Sequence, residues 1–134
     1  MLDNGIKQPK SSNHTQIKSL IKNIARDNST EIHPILVQKA VQYSTTSQDS
    51  RSLMGCLIDM IDQKASHSYI VYKCLFIIQA CLQSRSTSFL EIAKNFSEEI
   101  RLLTILSFEG RECILRREIH QTAFSIYNFL VFNQ

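Results

Sequence analysis

The longest apolar run of the chain is Tyr69-Ile-Val-Tyr-Lys-Cys-Leu-Phe-Ile-Ile-Gln-Ala-Cys-Leu82. It is too short to cross a bilayer, which takes about 20 apolar residues, and Lys73 and Gln79 interrupt it. Within it Ile70, Cys74, Ile77, Ile78 and Cys81 recur at helical spacing. Val71, Leu75 and Leu82 widen the apolar arc until Lys73 and Gln79 alone remain polar. The pattern predicts a core helix over 68–83 that has to be covered on several sides, so the flanking segments are expected to be helices that wrap it.

Before this run, Ile17, Leu20, Ile21 and Ile24 form one stripe of the segment Thr15 to Arg26, with Lys18, Lys22 and Arg26 on another. That is the pattern of an amphipathic first helix, whose basic stripe suits a membrane surface and equally a helix packing its Ile face on a core. Asp27-Asn-Ser-Thr reads as a turn and His33-Pro34 as a helix entry, because proline is favoured where its missing N–H costs nothing. The second helix runs through Tyr43 and is expected to bury Ile35, Val37, Ala40, Val41 and Tyr43. Ser44 to Ser50 is a polar turn with several candidate N-caps, and a third helix follows with Leu53, Met54, Leu57, Ile58 and Ile61.

After the central helix, Gln83 to Ser88 leads into a short fifth helix with Phe89, Leu90, Ile92 and Ala93. Glu98 and Glu99 then favour the positive end of a sixth, whose apolar members are Ile100, Leu102, Leu103, Ile105, Leu106 and Phe108. Glu109-Gly-Arg-Glu112 is a turn, and a last helix from about Ile114 carries Leu115, Ile119, Ala123, Phe124, Ile126, Tyr127 and Leu130. Residues 1–14, broken by Gly5 and Pro9, read as a flexible tail, which leaves 15–134 as one helical domain. The short connections imply an all-α fold, a right-handed, solenoid-like superhelix of about seven short helices.

Composition agrees: Gly 3 and Pro 2 are too few for a turn-rich sheet, and 43% hydrophobic with 20% charged residues is globular composition. The net charge of +3 resides wholly in residues 1–30, where Lys7, Lys10, Lys18, Lys22 and Arg26 face Asp3 and Asp27. An excess of that size attracts headgroups or nucleic acid only weakly. No apolar run precedes residue 17, so no secretory signal is read and a cytoplasmic location is expected. Cys56, Cys74, Cys81 and Cys113 then stay reduced and read as small core residues. His14, His33, His67 and His120 are scattered and read as capping or surface residues, with no metal set among them. With no Gly-rich phosphate loop and no aromatic platform among basic residues, neither an enzyme, a cofactor nor a nucleic-acid partner is expected.

Three blocks resemble the ENTH domain, the helical domain at the amino terminus of epsin-like clathrin-adaptor accessory proteins. Lys22-Asn-Ile-Ala-Arg-Asp-Asn28 with Pro34 and Val37-Gln-Lys-Ala40 is similar to its first and second helices. Val71-Tyr-Lys-Cys-Leu75 with Ala80-Cys-Leu82 is similar to its core helix, and Ile100, Leu103, Phe108 and Arg116-Arg-Glu118 parallel its later blocks. The resemblance covers residues 17–131 and implies a trafficking adaptor at coated vesicles, peripheral on endomembranes, with coat or adaptor proteins as partners. It also implies a phosphoinositide site. Of the family's basic positions Lys73 is kept and Lys22 replaces a first-helix arginine, with Arg26 beside it, while the others fall on Met60, Ser66 and Ile70. Two readings of Lys73 stand open: lipid contact, or a lysine whose stem packs on the core.

The amino-terminal segment lacks the apolar stripe that epsins fold on lipid; in addition, the turn Glu109-Gly-Arg-Glu112 is shorter than the corresponding epsin loop, and Arg85 stands where they carry a glycine. These departures point to a divergent, tepsin-like branch that acts through protein contacts. The related VHS and polymerase-tail-reading domains share the superhelix and supply the alternative of a peptide reader. A candidate partner surface lies at Tyr127, Phe129 and Phe132, in a segment too apolar for one helix face to bury.

Overall fold

The most apolar stretch of the chain forms the helix around which the others pack. The computed structural model describes residues 12–27, 29–64, 67–105 and 113–133, with the backbone alone at 113 and 114. Among these the fold is all-α: α1 (His14–Ile24), α2 (Pro34–Tyr43), α3 (Ser47–Gln63), α4 (Ser68–Gln83), α5 (Thr87–Lys94), α6 (Ser97–Leu103) and α7 (Cys113–Phe132). Helix α4 touches α2, α3, α5 and α7, and Val71, Cys74, Leu75, Ile77, Ile78 and Cys81 lose all contact with solvent. Helix α1 lays Ile17, Leu20, Ile21 and Ile24 against α2 and α3, and α7 contributes Ile119, Ala123, Ile126 and Leu130 to the same core. None of the described helices is long and apolar enough to cross a membrane.

Short side chains close the turns. His33 Nδ1 accepts from the Ile35 amide at 3.2 Å to cap α2, and Pro34 takes the position where no amide partner is needed. Thr46 caps α3 on the Asp49 amide, and Ser86 caps α5 on the Phe89 amide, both at 3.2 Å. The Ser44 carbonyl is a junction: it accepts from Ser50 Oγ at 2.9 Å and Ser86 Oγ at 2.6 Å. The α2–α3 turn and the α4–α5 turn are therefore tied at one oxygen, which satisfies polar groups that burial would otherwise leave unpaired.

The boundaries differ from the sequence reading at three places. Helix α1 starts at His14, where the tail was expected to run on: Asn13 Nδ2 donates to the Asp49 carboxylate at 3.1 Å, and His14 Nδ1 lies 3.2 Å from Ser52 Oγ. The first eleven residues of that tail lie outside the described residues, as do Leu106 to Glu112. Helix α3 absorbs Ser47 to Ser50, because Thr46 supplies the cap and Ser50 finds the Ser44 carbonyl. Helix α6 stops at Leu103, where Thr104 Oγ1 donates to the Arg101 carbonyl at 2.7 Å; Ile105 is left outside the helix and exposed.

Burial also differs. Of the five residues expected to be buried on α2 only Ala40 is, since a short side chain brings that helix close to α4; Cys81 Sγ lies 3.8 Å from the Ala40 carbonyl. Ile35 sits in the first turn and is exposed, and Phe124 and Leu102 also face solvent. Cys74 and Cys81 are buried as expected, whereas Cys56 is half-buried.

Arg85, one residue past the α4 cap, has φ 65, the left-handed conformation in which a glycine commonly ends a helix. A side chain costs roughly 1 kcal/mol or more there, partly offset by the freedom glycine loses on folding. Arg85→Gly is expected to raise stability by about 0.5–1 kcal/mol and Tm by about 2–4 °C, measurable by thermal denaturation.

Candidate functional site

The cations picked out for lipid contact do not meet. Lys73 is 1% exposed, and its Nζ donates to the carbonyl of Asp27 at 3.0 Å. Its neighbours on the same face of α4, Ile70 and Ile77, are buried with it, so the aliphatic stem runs through apolar packing to reach the α1–α2 turn. That carbonyl lies just past the carboxyl end of α1, where the helix dipole is negative and a cation is favoured. Of the two readings of Lys73, the geometry is that of the packed stem, and the ammonium is withdrawn from any surface. Among the described residues it is the only buried charged side chain.

Lys22 is exposed on α1 and, with Lys18, Cys56, Asp59, Met60 and Gln63, lines a groove of about 100 Å³ between α1 and α3. Met60 thus occupies the wall where the resemblance implies a cation, and the Asp59 carboxylate opposes an anion entering beside Lys22. Arg26 is not in that groove; its guanidinium donates to Asn23 Oδ1 at 2.6 Å on the exposed end of α1. Ile70 is buried in the core, and Ser66 lies outside the described residues. The result is Lys18 and Lys22 in the groove, opposed by Asp59, and Arg26 outside it, each surface charge worth about 1 kcal/mol or less toward a headgroup.

The apolar candidates are placed differently. Phe132 is 81% exposed and Phe129 42% exposed, while Tyr127 is half-buried and packs on the core. Ser125, Phe129 and Phe132 follow one another at spacings of four and three, along one side of α7. Facing them, Gln79, Leu82 and Gln83 of α4 close a shallow groove of about 150 Å³ with Ser125, Ile126 and Phe129. Helix α4 has Lys73 and Gln79 as the polar positions of its apolar run. With Lys73 turned inward its outer face is Tyr69, Tyr72, Phe76, Gln79 and Gln83, with Phe76 40% exposed. The sequence did hold a signal for this: Tyr69, Ile70, Phe76 and Ile77, the helical neighbours of Lys73, are all apolar, so Lys73 marks no polar edge.

Reactive chemistry is held down where it is visible. Burial pushes the thiols of Cys74 and Cys81 up to about 12, against the smaller opposing influences of Lys73 on the first and Ser44 on the second. Neither is a thiolate at neutral pH, and neither acts as a nucleophile there. Among the described residues no cluster of His, Cys, Asp and Glu is arranged to hold a metal ion. A wider groove of about 600 Å³ runs between α1 and α2, walled by Gln16, Asn23, Lys39, Gln42 and Tyr43.

Comparison of the chain with family models, with curated proteins and with solved structures finds no match.

Lys73→Glu replaces the inward ammonium by a buried carboxylate facing the Asp27 carbonyl oxygen, with no donor supplied. The variant is expected to lose about 3–5 kcal/mol, read as a lower urea midpoint, whereas an exposed lysine would change stability by less than about 0.5 kcal/mol.

Proposed function

We propose that the chain is a non-enzymatic adaptor module of the ENTH type, working in coated-vesicle formation through protein contacts. The observation that carries this choice over phosphoinositide capture is the burial of Lys73 on the Asp27 carbonyl, which leaves Lys22 and Arg26 as separate surface charges. A multiply charged headgroup needs several cations converging within a few ångströms, and isolated ones are screened near physiological salt, where the Debye length is about 8 Å. The right-handed superhelix, and a position on the cytoplasmic side of vesicle membranes, belong to the same reading. So does the role of coat or adaptor proteins as partners. In its favour stand the helix order and the Val71-Tyr-Lys-Cys-Leu75 core block within α4. The exposed Phe129 and Phe132 supply the kind of apolar surface on which protein contacts concentrate.

Co-sedimentation with phosphoinositide vesicles and with uncharged vesicles at about 0.15 M salt tests the choice. The chain and its Lys22→Glu variant are expected to bind both poorly and alike, while immobilised chain retains a coat or adaptor protein. Micromolar binding to the charged vesicles that Lys22→Glu abolishes would transfer the function to the lipid. Lys22 is the residue to vary, because a charge reversal at Lys73 perturbs the fold itself.

A further inference from the structure

The groove between α4 and α7 has the size and chemistry for one aromatic ring. Its volume of about 150 Å³ equals that of an apolar protein cavity that takes up benzene. Its apolar lining is Leu82, Ile126 and Phe129, and its polar lining is the uncharged Gln79, Gln83 and Ser125. The same face of α7 also carries a second ring, Phe132, which is 81% exposed. Phe132 stands seven residues beyond Ser125, which on a helix is two turns, about 10 Å, along nearly the same line. A hole and a matching knob thus lie side by side on one surface of one chain.

From this juxtaposition we infer that a second copy of the chain covers the α4–α7 face, in a two-fold dimer that inserts each Phe132 into the other copy's groove. The symmetry follows from the register. When two α7 helices run antiparallel so that Phe132 of each meets Ser125 of the other, the axis passes between residues 128 and 129. The two Phe129 rings then come together at the centre, where aromatic pairs pack offset or edge-to-face. Ser125, with its short side chain, is what lets the second α7 approach closely enough for the ring to enter.

Charge decides between this occupant and others. From Ile119 to Gln134 the chain has no Asp, Glu, Lys or Arg, and α4 has only Lys73, which is turned inward. A face without charge offers nothing to orient a charged partner, whereas two copies of it meet with no like charges opposed. The inference rests on the reading of Phe129 and Phe132 as a protein-contact surface, and assigns that surface to a second copy of the chain.

The test is sedimentation equilibrium of the purified chain, with Phe132→Ser and Ser125→Arg as separate variants. Both positions are exposed, so both variants are expected to fold, which circular dichroism checks. At about 100 μM the unmodified chain should sediment with twice its 15.4 kDa mass, and should do so equally in about 1 M salt, since no charges hold the contact. Each variant should shift to the monomer mass, with dimer affinity at least about tenfold weaker. A monomeric unmodified chain, or a dimer that survives either substitution or falls apart in high salt, overturns the inference. Each of these results leaves the vesicle-binding outcome untouched.

Discussion

A lysine ammonium taken out of water and set on a backbone carbonyl holds the corner where α1, α2 and α4 meet. Burying a lone ammonium costs several kcal/mol, and a hydrogen bond to a charged donor returns about 1.5–3 of that. The Lys73 to Asp27 bond therefore persists only because the packing around α4 keeps the stem in place. In return it ties the central helix to the turn that joins α1 to α2. Turning Lys73 inward also decides what α4 shows to solvent, which is Tyr72, Phe76, Gln79 and Gln83 instead of a cation. One side-chain direction thus removes charge from one surface and leaves an uncharged, aromatic one on the same helix.

The opposite end of α4 is secured by different means. There the Ser44 carbonyl gathers the hydroxyls of Ser50 and Ser86, and Ser44 Oγ turns back on the Val41 carbonyl at 2.6 Å. Ser44 and Ser50 are fully buried, yet short hydroxyls make such a junction cheap: they lose little rotamer freedom and carry no charge. Between the two tethers, Ala40 and Cys81 allow α2 and α4 to lie close. Both tethers involve the α1–α4 array, whereas on α7 the large apolar side chains Phe124, Phe129 and Phe132 are exposed.

How much of this the sequence revealed follows from where each constraint is local. The span of α4, and the burial of Cys74, Leu75, Ile78 and Cys81, could be read because the apolar run is long and bounded by polar residues. The start of α2 could be read because Pro34 acts within a residue of itself, whereas several hydroxyls in Gln83 to Ser88 could cap α5 and the structure uses Ser86. For Lys73 the apolar helical neighbours gave a local hint of its direction, but its acceptor could not be read, since it lies 46 residues upstream. From Ala123 to Phe132 only Ser125 and Asn128 are polar, so periodicity could not choose a face there; Phe124 looked like core and lies one position off the buried stripe of Ile119, Ala123, Ile126 and Leu130. The lipid-site candidates failed to converge for the same reason. Lys22 lies on α1 while Arg26 falls past its end and turns back on Asn23, and the wall that Lys22 faces is set by the packing of α3, which no spacing encodes.

The inward lysine is the hinge of the whole account, and its exposure can be measured directly. Partial acetylation of the folded chain, quantified lysine by lysine by mass spectrometry, compares Lys73 with the exposed Lys18, Lys22 and Lys39. With Lys73 held on the Asp27 carbonyl, its modification waits for unfolding and falls at least about a hundredfold behind the others. Labelling of Lys73 at the rate of Lys22 in the native chain would place the ammonium at the surface and contradict the account.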